Sequence, residues 1–425
     1  MIVKVPQFPW YGDTELELDF PDSWEVIVPQ MAGQDAPKLS DKGIREAFLN
    51  PIGTPRIAEL ARNKKEVVIL FDDLTRSTKI DELVPYVLEE LREGGIKDEN
   101  IRFIAALGLH GAMKLMDFQK KLGPEIPQKF LVFNHNPYEN CTHLGKTSRG
   151  TPVLINSEFM ACDLKISIGE IVPHPTSGFG GGGKMVLPGV AHIDTITVNH
   201  RDQCQISESG SIVLDNWGRV DDNTMRLDIE EVARMAGLDV SVNAVVNMRR
   251  ETIGLFVGDL VEAHREGVKM GRKVYTTEAP DEADIVVANA YAKANEASLV
   301  VTLGSKMLKE AGGDLIVIGN IPEGQICHYL VRSFGKKMGG RLWGAQTELP
   351  PRVKRMFALG PYLDKAGLDW VGPIDKIIIL NSWAEILAML KKSYGDKAKA
   401  VVITDGTLQY FPRSGLPRGH TSALG

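Results

Sequence analysis

Between residues 169 and 201 the chain reads GEIVPHPTSGFGGGGKMVLPGVAHIDTITVNHR, and this stretch holds most of the side chains fit for chemistry. Gly178 and Gly180 to Gly183 run into Lys184, with His174 before the lysine and His192 and His200 after it. Imidazoles beside an amine suit proton movement near neutral pH. Glycines at this density interrupt regular structure, let the backbone pass close to something bulky, and leave N–H groups for an anion. Residues 178–184 match the phosphate-binding pattern G-x-x-x-x-G-K, but Met185 stands where a hydroxyl would hold Mg²⁺. The loop therefore reads as an anion or cofactor cradle that lacks the metal-holding part of a nucleotide triphosphatase.

Two shorter motifs add to the inventory. DDLTRS at 72–77 supplies Asp73, Thr75 and Arg76, and GLHG at 108–111 sets His110 between glycines. A carboxylate near a guanidinium suits orientation and anion binding, while Asp, Ser and Thr at this place also suit a helix cap. Several chemistries lack their signatures. There is no HExxH for a zinc hydrolase, no GxSxG elbow for a serine hydrolase, and no early GxGxxG for a dinucleotide enzyme.

The elements that must position these residues follow from the apolar pattern. Residues 66–71 (EVVILF) form a continuous apolar run, as in a strand buried on both faces. It ends in DDLTRST, and residues 79–93 follow with helical spacing. Strands are also expected at 101–106, 130–133 and 164–168, with His110 at the exit of the first and the glycine stretch at the exit of the last. Open α/β sheets bind ligands at the carboxyl ends of their strands. Asp73, Arg76, His110, His174 and Lys184 are therefore expected at one edge of one sheet.

Residues 227–235 and 260–272 read as helices, and 240–246 and 253–257 as strands. The pattern resets near KVYTTEAPDEA, residues 273–283. Beyond it a second α/β domain is expected, with strands at 285–287, 315–318, 376–380 and 400–403. The expected fold class is thus α/β: two domains, 1–275 and 276–425, with mainly parallel sheets and an active-site cleft between them.

The 425 residues are 43% hydrophobic and 24% charged, enough for two sizeable cores. A net charge of −6 argues against a general nucleic-acid or membrane-surface binder. Cys141, Cys162, Cys204 and Cys327 are scattered without CxxC spacing, and the first residues carry no signal-peptide core. A cytoplasmic location is the expectation.

Taken together, DDLTRS, ALGLHGAM at 106–113, PHPTSGFGGGGKMVLPG at 173–189, VNHR at 198–201 and IPEGQICHYL at 321–330 resemble the nickel-pincer lactate racemase family of 2-hydroxyacid racemases and epimerases. The resemblance spans most of the chain. It implies a cofactor that residue patterns do not disclose: a pyridinium-3,5-bisthiocarboxylic acid mononucleotide carrying nickel, attached covalently to Lys184, with His200 as the protein ligand to the metal. It further implies His110 and His174 as the acid/base pair. Asp73, Thr75, Gly182 and Gly183 are expected at the cofactor, and Arg76, Tyr291 and Asn295 at the substrate. The implied reaction inverts C2 by hydride transfer through a 2-keto acid, and cofactor-synthesis enzymes are the implied partners. Whether the chain forms a homo-oligomer is left open.

There are two departures: GLHG at 108–111 replaces the threonine and arginine more usual around the first histidine, and the second domain differs as well. Asn295, in ANAYAKANEAS at 288–298, stands where the lactate enzymes are expected to carry a substrate-binding lysine, with Lys293 nearby. A neutral amide favours hydroxyls or another anion geometry. Malate, a hydroxyglutarate or a sugar acid thereby joins lactate as a candidate substrate. The competing reading is a phosphate- or nucleotide-binding protein that uses the glycine loop without nickel.

Overall fold

Val67–Phe71, five residues without solvent exposure, form the central strand of the first unit. A strand covered on both faces must be apolar throughout, which accounts for the unbroken run. The computed structural model describes residues 1–203, 216–331, 334, 340–342 and 348–412. Contacts divide the chain into two units: Gly33–Val274, and Met1–Ala32 together with Tyr275–Gly425.

In the unit Gly33–Val274 the sheet strands are β1 (Val67–Phe71), β2 (Ile101–Ala105), β3 (Leu131–Asn134), β4 (Leu164–Glu170), β5 (Val240–Val246) and β6 (Thr252–Gly258). Their spatial order is β6-β5-β4-β1-β2-β3. All neighbours are parallel except β5 and β6, which run antiparallel. Phe71 pairs with Ala105 on one side and Ile168 on the other, so β1, β2 and β4 end side by side. The principal helices here are α1 (Val84–Glu93), α2 (Leu115–Leu122), α3 (Ile193–Asp202), α4 (Thr224–Met235) and α5 (Glu262–Tyr275).

The other unit has an all-parallel six-stranded sheet. Its central strands, Ile285–Asn289 and Gly313–Ile318, are buried along their whole length. One edge strand is Glu25–Ile27, which pairs with Lys399–Ile403. Residues 1–32 therefore belong with the C-terminal sheet, a correction to the expected 1–275 domain. The reason is non-local: apolar Val3, Val5, Leu18, Phe20 and Trp24 pack into the core formed by Ile285, Val287, Phe357 and Ile386.

Other differences are local. The strand Val353–Leu359 was not anticipated, nor was the hairpin Cys141–Lys146 with Pro152–Asn156. The glycine run was expected to be irregular, yet it holds a two-residue strand, Gly178–Phe179, and a short 3-10 turn, Gly182–Met185. Cys204, His420 and the tail 413–425 lie outside the described residues. Among the described residues, no helix is long and apolar enough to cross a membrane.

Candidate active site

Three loops leave the carboxyl ends of β1, β2 and β4. They are tied to one another through the main chain: Ala106 N–H donates to Phe71 O at 2.8 Å, and Gly108 N–H to Gly189 O at 2.9 Å. This brings the DDLTRS loop, the His110 loop and the glycine stretch to one sheet edge.

The first loop folds on its own carboxylates. Asp73 Oδ1 accepts from Thr75 N–H at 2.9 Å and from the Thr75 hydroxyl. Its Oδ2 accepts from His110 Nδ1 at 2.6 Å. Burial by itself would raise the pKa of Asp73, but the charge and hydrogen bond of His110, with Arg76 and Thr75, hold it well below the usual range. In the neutral form of the His110 ring, Nδ1–H donates to the carboxylate and the lone pair lies on Nε2. Arg76 Nη1 donates to the Thr75 hydroxyl at 2.7 Å and the Thr75 carbonyl at 3.0 Å, and its side chain is partly exposed. Asp73 thus holds the His110 ring, and Thr75 holds the Arg76 side chain.

Beneath this loop lies a buried charge cluster that sequence reasoning missed. Lys121, fully buried on α2, places Nζ 2.6 Å from Asp72 Oδ1 and donates to Arg76 O at 2.9 Å. Glu170, at the end of β4, accepts from Ser77 N–H at 2.7 Å and from the Ser77 hydroxyl. Burial pushes Asp72 up to about 6; Lys121 opposes this and Glu170 adds to it. Glu170 was within reach, since it opens the glycine stretch, but nothing local marks Lys121.

His174 lies in a hairpin made by Pro173–His174 and Gly178–Phe179. Its Nδ1 accepts from the main-chain N–H groups of Thr176 and Ser177, both at 3.3 Å. The neutral ring must therefore carry its proton on Nε2, the opposite tautomer to His110.

The glycines are explained by internal packing. A Cβ on Gly178, where φ is +78°, would lie 1.7 Å from Arg219 O. One on Gly182 would lie 2.9 Å from Leu260 O and 3.1 Å from the His264 ring. Gly183 meets Ala233 and Ile229 of α4 in the same way. Main-chain N–H groups proposed for an anion are in part already used: Gly180 donates to Val172 O at 2.8 Å, and Gly182 to Asn243 Oδ1 at 2.8 Å. The loop is thus closed against the protein on its side-chain face.

Lys184 sits in the turn that follows and is partly exposed. His200, near the end of α3, donates from Nδ1 to Ile196 O at 3.0 Å. Its pKa is lowered to about 4 by burial first and then by the nearby Lys184 charge, against the Ile196 carbonyl. His200 is therefore neutral, with the Nε2 lone pair available. Helix α3 is anchored by the adjacent Asn199, which donates to the buried Asp228 at 2.8 Å.

Tyr291 and Asn295 belong to the other unit, in a short 3-10 segment after the strand Ile285–Asn289. Tyr291 is 3% exposed and donates to Asp13 Oδ1 at 2.7 Å. Asn295 is also buried, and among the described residues its Oδ1 has no hydrogen-bond partner. Lys293 is buried there too.

The chain is similar to several known proteins. The family model described as the lactate racemase N-terminal domain matches residues 11–211. The chain is 30% identical over 283 residues to the lactate racemase of Thermoanaerobacterium thermosaccharolyticum, covering 66% of this chain and 65% of that protein. It is 29% identical over 294 residues to the lactate racemase of Lactiplantibacillus plantarum, covering 68% of each. Thus the matched region spans about two thirds of each of these curated relatives (65% and 68%). Among solved structures, the lactate racemase apoprotein from T. thermosaccharolyticum superposes with a TM-score of 0.72 at 23% identity, over 97% of this chain and 100% of that one. A crystal structure of a Thermotoga maritima protein gives a TM-score of 0.61 at 17% identity, over 88% and 98%. These two structural likenesses speak for the fold. By the domain match and the curated relatives, the chain is similar to lactate racemases.

Proposed function

We propose that the protein is a 2-hydroxyacid racemase or epimerase that works with a nickel-pincer nucleotide attached to Lys184. The observation that carries this reading is the contrast in Nδ1 partners, a carboxylate at His110 and two main-chain N–H groups at His174, which favours opposite tautomers in the neutral rings. His110 offers a lone pair at Nε2, backed by Asp73 on Nδ1. His174 accepts at Nδ1 and so offers a proton at Nε2. Inverting a carbinol carbon needs one group to take the hydroxyl proton on one face and another to supply a proton on the opposite face.

The residues present fit the cofactor. The partly exposed Lys184 stands close enough to His200 for its charge to add to the burial that lowers the histidine's pKa to about 4. One free imidazole nitrogen suits a single bond to a metal whose other donors come from the cofactor. Among the described residues no group of three His, Cys, Asp or Glu side chains is placed to hold a metal by itself. When bound, that group supplies the acceptor and donor of hydride at C2.

In this reading Arg76 holds the substrate carboxylate, as a guanidinium fork suits a carboxylate. His110 takes the hydroxyl proton at Nε2, and Asp73 stabilises the imidazolium that results. On the other face His174 would hydrogen-bond the oxygen through Nε2–H, while the proton that completes the new hydroxyl comes from solvent and His110 returns its own proton to solvent. Solvent exchange restores the pair between turnovers.

The test is direct. Protein co-expressed with cofactor-synthesis enzymes is assayed for bound nickel, then incubated with single enantiomers of lactate, malate, 2-hydroxyglutarate and a sugar acid, followed by chiral analysis. Inversion with deuterium retained at C2 in ordinary water is expected. Nickel-loaded protein that leaves every enantiomer unchanged, or that washes out the C2 label, refutes the reading.

A further inference from the structure

His174 and Lys184 stand at the two ends of one loop, and every carbonyl from Thr176 to Gly181 is held by the protein. Thr176 O accepts from Asn223, Gly178 O from Gly218 N–H, and Gly180 O from His264 Nε2 at 2.8 Å. The remaining three carbonyls share one donor. Arg226 on α4 donates from Nε to Ser177 O at 3.2 Å, from Nη1 to Gly181 O at 3.1 Å and from Nη2 to Phe179 O.

Arg226 has no exposed surface, and among the described residues its acceptors are all main-chain carbonyls. Burying a guanidinium without a carboxylate to receive it is costly, and an apolar side chain of similar size would fill the space more cheaply. What the guanidinium adds is geometry: a planar fork fixes several acceptors relative to one another, as a lysine cannot.

The fork is one residue removed from both functional groups. Ser177 gives its carbonyl to Arg226 and its N–H to His174 Nδ1. Gly181 O accepts from both Arg226 and Lys184 N–H, the latter at 3.2 Å. We propose that Arg226 is the positioning residue of this site, setting the imidazole of His174 and the amine of Lys184 relative to each other before any ligand arrives. The inference rests on the reading of His174 and Lys184 as functional, and the clamp itself can be measured without turnover.

The experiment compares Arg226→Lys with Val232→Ala, which trims a buried side chain of the same helix that has no group to hydrogen-bond the loop. Three quantities are read on the full chain: thermal midpoint, the ¹⁵N shift of His174 Nδ1 in histidine-labelled protein, and the rate of the cofactor-loaded enzyme. Arg226→Lys is expected to lose the acceptor-type Nδ1 signal and to lower kcat on the order of 10- to 100-fold, with KM little changed. Val232→Ala is expected to lose thermal stability yet keep the His174 signal and the rate. An unchanged His174 signal in Arg226→Lys, or the same losses in Val232→Ala, overturns the proposal. Should Arg226→Lys not fold, hydrogen exchange at Arg226 Nε–H in the unaltered protein decides. Exchange as slow as that of core amides supports the clamp, and exchange like that of a surface arginine overturns it. If no substrate is ever inverted, the racemase reading fails while the shift and exchange measurements still report on Arg226.

Discussion

Asp73 and His110 stand on loops that leave adjacent parallel strands, and a 2.6 Å hydrogen bond joins the carboxylate to Nδ1 of the ring. The bond orients the imidazole and selects its tautomer. Asp73→Asn keeps the shape but allows the opposite tautomer, with the proton on Nε2. A loss of about 10²- to 10⁴-fold in kcat is expected, the usual contribution of a placed acid or base. Steady-state kinetics with circular dichroism as a fold control checks it, and near-normal turnover would remove Asp73 from the mechanism.

Lys121 pairs with the buried Asp72 under the Arg76 loop. Lys121→Met should destabilise the protein by about 3–5 kcal/mol, as for a broken buried ion pair. The sign of the pH dependence follows from Asp72, whose pKa is raised to about 6, chiefly by burial. The folded state takes up that proton before the unfolded chain does, so protonation favours folding as pH falls through about 6. The variant's deficit should be larger at pH 8 than at pH 5, as measured by urea unfolding. Equal deficits at both pH values count against the cluster's role.

Two glycines separate backbone strain from packing. Gly178 (φ +78°) has Arg219 O 1.7 Å from a built Cβ, whereas Gly237 (φ +73°) has nothing within 4 Å. Gly237→Ala should cost about 1–2 kcal/mol, the left-handed penalty alone. Gly178→Ala should cost several times as much, or prevent folding, because main chain must move. Thermal denaturation of the two variants side by side gives the comparison.

Histidines 135 and 264 are buried and held neutral. His135 is lowered to about 4 by burial, with the His192 charge adding and the Ala191 carbonyl opposing. His264 is lowered well below its ordinary value, again by burial first and then by Arg226 and Arg265. Between about pH 6.5 and 4 the unfolded chain binds protons that the folded one excludes, so stability should fall as pH falls through this window. For His135 the difference amounts to ~3 kcal/mol, from 1.36 kcal/mol per pKa unit. His135→Gln should flatten the profile; an unaltered slope would assign the pH dependence elsewhere.

Lys184→Ala tests attachment apart from chemistry. Intact-mass measurement should show no added cofactor mass on the variant, and bound nickel should fall to background after gel filtration. The fold should survive, since Lys184 is partly exposed and its main-chain bonds to Gly181 and Gly189 do not need the side chain. Retained nickel and activity would end the covalent reading.

Local sequence determined most of the elements and the list of reactive side chains. The apolar run 66–71 could only be a doubly covered strand, and the polar residues after it had to emerge at its carboxyl end. Tertiary structure alone decided what those residues do to one another. The tautomers of His110 and His174 depend on Asp73 from a neighbouring strand and on main-chain N–H groups of a hairpin. The glycine run looked like a surface for a ligand, but its missing side chains make room for Arg219, Leu260, His264 and α4, all far along the chain. Arg226 gave no local signal either, because a buried arginine on an amphipathic helix is written with the same letter as an exposed one. Residues 1–32 were assigned to the wrong unit for the same reason: pairing of Glu25–Ile27 with Lys399–Ile403 joins segments that no window along the sequence can hold together. Side-chain type and spacing are local properties, whereas burial, tautomer and strand partner are set by groups that meet only once the chain has folded.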